Sequence, residues 1–311
     1  MSDIKIYDAI VIGGGVTGSS AGMYAARFNL DVVVYAEQPG GLITTTNLVE
    51  NYPGIKSITG PDMGMVFMEH AMESGAKFEY DRVSSIEKTE LNGKQVFKLL
   101  VGTAEKEVFA WTVVLATGTK HKYLGAPGEK EYSAKGVTYC ALCDAAFFKE
   151  KIVVVVGGGD SAAIDANILA QHVKKVYVLV RKGEMRAEPV NIKRIQANPK
   201  VEILYNTEVA EIQGDGEKVT QLLLKDGKTL AVDGVFVAIG WTPMSELAKQ
   251  VGADLDERGE VIITREAETN VPGFYAAGDV TNAKFKQAII GAAEGVYASV
   301  AAYNYIQGNV R

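Results

Sequence analysis

The chain has 311 residues, of which 47% are hydrophobic and 23% charged, and its formal net charge is −6. This length is sufficient for a large buried core and for two domains. The acidic balance, with Lys and Arg spread along the chain, argues against a nucleic-acid partner. No apolar run approaches the roughly 20 residues of a spanning helix, and the start lacks a leader pattern. We therefore expect a cytoplasmic protein without a membrane partner.

The first predicted element is a strand that ends in a glycine-rich turn. The apolar run IYDAIVI, residues 6–12, is followed by GGGVTG, a segment of helical composition and a second strand that ends at Glu37. This order of strand, glycine turn, helix and strand is typical of a dinucleotide site. Gly13 permits the tight turn, Gly15 lets a pyrophosphate approach the backbone, and Gly18 allows the helix to pack closely on the strand.

The same unit recurs at residues 151–180. There the strand KIVVVV precedes Gly157-x-Gly159-x-x-Ala162, and an Ala-rich helix and another strand follow. One glycine motif is weak evidence, because a tight strand-to-helix turn without a nucleotide can have the same pattern. Two motifs in this context predict an α/β protein with two Rossmann-like dinucleotide-binding domains.

The residue 24 positions after the first glycine of each motif distinguishes the two sites. It is Glu37 in the first unit and Arg181 in the second. A carboxylate accepts hydrogen bonds from an unphosphorylated ribose, whereas a guanidinium pairs with a 2′-phosphate. We therefore expect FAD or NAD at the first site and NADP(H) at the second, where Lys182 and Arg186 add positive charge. A solvated strand end is the alternative interpretation of these basic residues.

Both cysteines of the chain lie in CALCD, residues 140–144. A zinc site would need two further Cys or His ligands, and the three histidines are scattered, which disfavours a metal site. A structural pair of buried thiols remains an alternative. A C-x-x-C near a βαβ pattern in a reducing compartment favours redox chemistry, and Asp144 is adjacent to Cys143 for proton transfer.

Two further elements are predicted near the end of the chain. The segment VPGFYAAGDV, residues 271–280, indicates an apolar strand that ends in Gly278 and Asp279. An Asp at this place is well positioned to bind a cofactor hydroxyl, and a helix cap is the alternative. Residues 286–308 are rich in Ala and Gly with periodic apolar positions, which predicts a long final helix.

With its motifs in this order, the chain resembles the bacterial and archaeal low-molecular-weight thioredoxin reductases over essentially its whole length. The segments that carry the resemblance are GGGVTG, GGLITTTNLVENYPG, ATGTKHKYLGAPGE, CALCD, GGGDSA, RKGEMRAE, VAIGWTP and GFYAAGDV. The resemblance implies a discontinuous FAD domain, residues 1–119 and 247–311, into which an NADPH domain, residues 120–246, is inserted. It also implies a homodimer.

The resemblance further implies the cofactor contacts. Those for FAD are Gly13, Gly15, Gly18, Glu37, Gly41, Asn51, Thr117, Gly118, Asp279, Gln287 and Ala288. Those for NADPH are Gly157, Gly159, Asp160, Ser161, Arg181, Lys182, Arg186 and Gly240. Lys286 replaces an Arg usual in the family, and Val180 and Lys182 replace a His and an Arg. Because Lys is a point charge rather than a bidentate fork, NADH use remains open beside NADPH.

The activity implied is that of an NADPH-dependent thioredoxin-disulfide reductase. Hydride passes from NADPH to the flavin, and electrons then pass to the Cys140–Cys143 disulfide and on to thioredoxin or a thioredoxin-like protein. By resemblance, Cys143 faces the flavin, Cys140 attacks the partner disulfide and Asp144 is the acid and base. Since the cysteines lie in the NADPH domain, we hypothesise that this domain swivels. The alternatives are a ferredoxin–NADP reductase-like flavoenzyme or an oxidase with idle cysteines, and a non-catalytic nucleotide-binding protein.

Overall fold

The computed structural model describes residues 4–46, 48–91 and 93–311. Contacts divide the chain into two compact units. The first unit consists of the described residues through Lys120 together with Pro243–Arg311, and the second is His121–Thr242. The second unit is therefore an insertion into the first.

Both units are built from strands and helices. In chain order the described strands are β1 (Ile6–Ile12), β2 (Val32–Tyr35), β3 (Lys77–Glu79), β4 (Val83–Leu91), β5 (Lys94–Val101), β6 (Lys106–Leu115), β7 (Thr119–His121), β8 (Val137–Thr138), β9 (Ile152–Val156), β10 (Lys175–Val180), β11 (Val201–Tyr205), β12 (Val209–Gly214), β13 (Val219–Leu224), β14 (Thr229–Ala231), β15 (Gly234–Val237), β16 (Trp241–Pro243) and β17 (Phe274–Ala276). The helices are α1 (Val16–Arg27), α2 (Gly60–Glu73), α3 (Ala141–Asp144), α4 (Asp160–Leu169), α5 (Pro189–Gln196), α6 (Glu246–Gln250) and α7 (Ala288–Asn309). Short 3-10 helices cover Gly41–Thr45, Ala145–Phe148 and Gly278–Val280.

The first unit is organised around a seven-stranded sheet with the order β3-β2-β1-β6-β5-β4, in which β17 also pairs with β6. The pairs β1–β2, β1–β6 and β17–β6 are parallel, and β4–β5–β6 are antiparallel. Strand β1 is apolar on both faces because both faces are covered. On one face Val11 packs in a cluster with Ala21 of α1 and Ala298 of α7, and on the other Ile10 packs with Phe97 of β5.

Helices α1 and α7 cross at very short range. A Cβ added to Gly295 would lie 2.4 Å from the backbone oxygen of Thr17, so only glycine fits there. The hydroxyl of Ser299 donates to Ala21 O of α1 at 2.7 Å. The close approach packs α7 directly against the helix that follows the first glycine turn.

The second unit repeats the parallel arrangement in a five-stranded sheet with the order β11-β10-β9-β15-β8. A three-stranded antiparallel sheet, β12-β13-β14, packs through Ile212 and Leu222 against Val154 of β9. The chain passes from the first unit to the second at β7 and returns at β16, and these two strands pair as a short two-stranded sheet. The predicted fold class, an α/β protein with two Rossmann-like arrangements, is confirmed.

Candidate functional site

The first glycine turn is forced into shape by backbone contacts. Gly13 has φ +116°, and its N–H donates to Tyr35 O of β2 at 2.8 Å. A Cβ at Gly13 would lie 2.2 Å from Ala116 O, and one at Gly18 would lie 1.8 Å from Gly13 O. Helix α1 therefore rests directly on β1. Its N-cap is Gly15, which supplies no side-chain cap, so the first N–H groups remain available to a phosphate.

Other residues predicted for the first site lie around this turn or along neighbouring segments of the same unit. Gly41 has φ +66°, and a Cβ there would lie 2.6 Å from the Cα of Gly15, so the two turns are in contact. The Nδ2 group of Asn51 donates to Gln287 Oε1 at 3.0 Å, although 236 residues separate them. Glu37 is exposed at the end of β2.

Two residues predicted for the first site, Thr117 and Gly118, form hydrogen bonds with the segment in which the chain returns to this unit. The hydroxyl of Thr117 donates to Met244 O at 2.7 Å, and Met244 N donates to Gly118 O at 3.0 Å. Gly118 has φ +65°, which a side chain would strain. The structure therefore gives Thr117 a protein partner that the sequence pattern did not indicate.

Asp279 lies directly after β17 in the 3-10 turn Gly278–Val280, and Ala288 begins α7. Burial raises the pKa of the Asp279 carboxyl, and Lys286 opposes that shift. Burial likewise raises the pKa of Glu294, which lies on α7 and accepts a hydrogen bond from Gly278 N at 2.7 Å. Among the described residues no donor reaches the Asp279 carboxylate, so it is available to a ligand.

The second glycine turn is built in the same way. Gly157 has φ +154°, and a Cβ there would lie 2.2 Å from Ala238 O. Gly159, the N-cap of α4, has no atom within 4 Å of an added Cβ, and it supplies no side-chain cap. Ser161 is half-buried in the first turn of α4, and Gly240, with φ +110°, follows β15. This open helix N-terminus can also receive a phosphate.

Asp160 has a role that the sequence did not predict. Its carboxylate accepts hydrogen bonds from Glu188 N at 2.7 Å and from Asn191 Nδ2 at 3.0 Å. Arg186 N donates to Gly158 O at 2.6 Å in the same region. These bonds attach the loop after β10 to the start of α4.

The basic residues of that loop are exposed. They are Arg181, Lys182 and Arg186, and none of them forms an ion pair within the described chain. These three cations follow β10 in the chain and give this loop a positive charge.

The two cysteines form a disulfide, with 5.4 Å between their Cα atoms, at the start of α3. Cys143 N donates to Cys140 Sγ at 3.1 Å, and Cys143 is the more exposed of the two. Ala141 and Ala145 are buried against Ala162 of α4, which anchors the cysteine segment on the second glycine unit.

Thr138 connects Asp144 with the cysteine segment. Its hydroxyl donates a hydrogen bond to the Asp144 carboxylate and accepts one from Cys140 N at 3.3 Å. Sequence reasoning selected Asp144 by adjacency but had no signal for Thr138. The hydroxyl fixes the direction of the carboxylate relative to the redox pair.

A buried carboxylate also supports this segment. Glu129 is 4% exposed and accepts from Leu124 N at 2.7 Å, Gly125 N at 2.6 Å and Tyr139 OH at 3.0 Å. The ring of His121 stacks on Tyr139 at 4.2 Å between centroids, and burial lowers the pKa of His121. Tyr139, the residue before Cys140, is thereby held against His121 at the end of β7. No sequence motif indicated this contact.

The two phenylalanines that follow CALCD have opposite environments. Phe148 packs on Phe236 with 5.2 Å between ring centroids, whereas Phe147 is 80% exposed. An exposed aromatic ring beside a redox pair is a suitable contact for a protein partner. Sequence reasoning missed Phe147 because adjacent phenylalanines give no indication of which one faces solvent.

A metal-binding cluster and a membrane-spanning helix are both absent from the described residues. Within residues 4–46, 48–91 and 93–311, no group of three or more His, Cys, Asp or Glu side chains is placed to hold a metal ion. In the same ranges, no helix is both long enough and apolar enough to cross a membrane.

Comparison with known proteins gives consistent matches over the full length. The family model described as "Pyridine nucleotide-disulphide oxidoreductase" matches residues 7–295. A thioredoxin reductase of Listeria innocua is 38% identical over 98% of this chain and 96% of its own length. The crystal structure of Lactococcus lactis thioredoxin reductase is similar with a TM-score of 0.91 and 32% identity, covering 97% of this chain and 99% of that one. That of T. acidophilum thioredoxin reductase has a TM-score of 0.89 and 37% identity, covering 96% and 98%.

Proposed function

Because the chain belongs to the pyridine nucleotide-disulphide oxidoreductase family, and within it to the low-molecular-weight thioredoxin reductases, we propose how its own residues perform thioredoxin-disulfide reduction. In this proposal residues 1–119 and 247–311 hold FAD, and residues 120–246 hold NADPH. The observation that carries it is the Cys140–Cys143 disulfide, anchored on the helix of the second glycine turn.

The first unit fits a flavin nucleotide on three observations. The N–H groups at the start of α1 lack a side-chain cap, and an added Cβ at Gly15 has only Gly41 and Gly40 backbone nearby, at 3.6 and 3.7 Å. The carboxylate of Asp279 has no donor from the described residues. Glu37 lies exposed at the end of β2, where a ribose hydroxyl would need an acceptor. A flavin bound there supplies two-electron transfer between nicotinamide and disulfide.

The second unit fits a dinucleotide with an extra phosphate. Helix α4 offers an uncapped N-terminus at Gly159, and the exposed cations Arg181, Lys182 and Arg186 follow the adjacent strand β10. The hydrogen bonds that the Asp160 carboxylate accepts from Glu188 N and Asn191 Nδ2 hold the loop that carries these cations. In this proposal Asp160 fixes the loop rather than contacting the nucleotide. Because the loop carries three cations, NADPH is the preferred hydride donor.

Replacing Arg181 by Gln should raise KM for NADPH by about tenfold or more, because a charge-assisted contact to the 2′-phosphate is lost. KM for NADH, which lacks that phosphate, should change little. The matched control is Lys174→Gln, since Lys174 is exposed at the opposite end of β10. Steady-state rates with both nucleotides measure the effect. Equal losses for NADPH and NADH would contradict a phosphate contact.

The cysteine pair performs the exchange with the protein substrate. Once the disulfide is reduced, the Cys140 thiolate attacks one sulfur of the partner disulfide, and a mixed disulfide forms as the other partner sulfur leaves as a thiol. Cys143 then attacks Cys140 Sγ, which releases the reduced partner and restores the intramolecular disulfide. Asp144, oriented by Thr138, is the group within this segment that can accept and return the proton.

Phe147 is the proposed apolar contact for thioredoxin or a thioredoxin-like protein. Replacing it by Ala should raise KM for thioredoxin about tenfold, because an exposed aromatic ring that becomes buried at an interface contributes strongly to binding. Flavin reduction by NADPH should be unchanged. Phe285→Ala is a matched control, since Phe285 is 60% exposed in the other unit. An unchanged KM for Phe147→Ala would exclude this contact.

The direct test of the proposed function is steady-state reduction of candidate thioredoxins, with NADPH and NADH compared. We expect a yellow protein that reduces thioredoxin with NADPH as the better donor. A protein that reduces its flavin but transfers electrons only to oxygen or ferredoxin would instead be a flavoenzyme with idle cysteines. We also propose a cytoplasmic homodimer that binds neither nucleic acid nor membrane. The net charge of −6 supports the exclusion of nucleic acid.

A further inference from the structure

All three N–H groups of the Lys286 ammonium have acceptors within the protein. Its Nζ donates to Asp279 O at 2.7 Å and to Thr281 O at 2.7 Å, and it lies 2.9 Å from Glu260 Oε1. An ammonium has three N–H bonds, so these three acceptors account for all of its donors. No donor of Lys286 remains for a cofactor.

These contacts are shielded from water. Glu260 is 9% exposed, and its N–H donates to Asp256 Oδ1 at 2.9 Å, which fixes the segment that carries it. The Lys286 side chain is 29% exposed. An ion pair in such surroundings is screened less than a surface pair, and its geometry is held by several bonds. The pair can therefore fix the backbone around it.

The turn that carries Asp279 is held from a second side as well. Glu294 of α7 accepts from Gly278 N at 2.7 Å and from the Thr281 hydroxyl at 3.4 Å. Lys286 thus binds two carbonyls of the turn, while Glu294 binds its first amide. The main chain of Gly278–Thr281 is fixed, and the Asp279 carboxylate has no donor among the described residues.

We propose that Glu260, Lys286 and Glu294 form a clamp that fixes the Gly278–Thr281 turn and presents the Asp279 carboxylate to a hydroxyl of the flavin nucleotide. Lys286 is then a positioning residue that does not touch the flavin. The inference rests on the proposal that FAD binds the first unit.

The first test replaces Lys286 by Met and measures the FAD dissociation constant from the fluorescence of flavin released by the diluted holoprotein. We expect about tenfold weaker binding, because the turn loses both of its hydrogen bonds from the Lys286 ammonium and Glu260 loses its ion-pair partner. Lys286→Arg should retain most of the affinity, since a guanidinium can donate to the same acceptors. The control Lys284→Met changes an exposed lysine two residues away and should have no effect.

A double-mutant cycle separates positioning from direct contact. Asp279→Asn should weaken FAD binding by itself, and adding Lys286→Met to it should weaken binding less than twofold further, because Lys286 acts through Asp279. Glu260→Gln should reproduce much of the Lys286→Met loss with an unchanged flavin absorption spectrum. Additive losses, or a spectrum shifted by Lys286→Met alone, would assign Lys286 a direct flavin contact and overturn the clamp. A purified protein that binds no flavin would instead refute the proposed function.

Discussion

Replacing Cys143 by serine is expected to lower the steady-state rate of thioredoxin reduction by about a thousandfold or more, while NADPH still reduces the flavin. A single remaining thiol can attack a partner disulfide but cannot resolve the mixed disulfide or accept electrons again. The remaining Cys140 should therefore trap thioredoxin as a stable covalent adduct. Anaerobic stopped-flow absorbance at the flavin band measures the first half-reaction, and non-reducing electrophoresis detects the adduct.

Cys140→Ser is the matched variant for this experiment. It should lose turnover to the same extent, but it should trap less thioredoxin, because the proposed attacking sulfur is missing. The chain contains only these two cysteines, so any adduct must form on the one that remains. If the double variant still reduced thioredoxin with NADPH, the cysteines would be idle. The ferredoxin–NADP reductase-like alternative would then be favoured.

Replacing Gly18 by alanine is expected to eliminate flavin binding. The added Cβ would lie 1.8 Å from the backbone oxygen of Gly13, and no side-chain rotation can move either atom away from the other. Helix α1 would have to separate from β1, which should lower the free energy of unfolding by about 3 kcal/mol, the upper end of the usual cost of overpacking. The flavin absorbance of the purified protein and its thermal midpoint measure the two consequences.

The second glycine unit and the last helix offer comparisons for this change. The corresponding position of the second turn is Ala162, so that turn accommodates a Cβ. The loss of flavin expected for Gly18→Ala therefore results from the tighter packing of the first turn. Gly308, near the end of α7, has no atom within 4 Å of an added Cβ. Gly308→Ala should therefore retain the flavin with a slightly raised midpoint, since Ala favours helix. A Gly18→Ala protein with full flavin content would contradict the close packing.

The local elements were predictable because each depends on a short pattern. The strand predicted at residues 6–12 agrees with β1, Ile6–Ile12. The final helix was predicted at 286–308 and spans Ala288–Asn309. It begins two residues later because Lys286 and Gln287 make contacts outside the helix, and Gln287 has extended backbone as the N-cap. Hydrophobic periodicity extends across such a boundary and cannot place it.

The contacts within the site were less predictable because they join distant segments. The pairing of Asn51 with Gln287 and that of Glu260 with Lys286 depend on the tertiary fold. Asp160 matched a cofactor-binding motif, yet its carboxylate binds Glu188 N and Asn191. A motif specifies where a backbone turn lies, but the direction of each polar side chain depends on which partners the fold brings near.

The pairing of β7 with β16 means that the inserted unit starts and finishes at one place. Lys122 N donates to Gly240 O at 2.8 Å, so the first and last residues of His121–Thr242 are neighbours. A domain with adjacent ends can enter a loop of another domain without disturbing the strands on either side. The inserted unit therefore needs only one loop of the first unit for its attachment, and the two glycine units keep separate sheets. They differ in charge after their second strands, where Arg181 stands at the position that corresponds to Glu37.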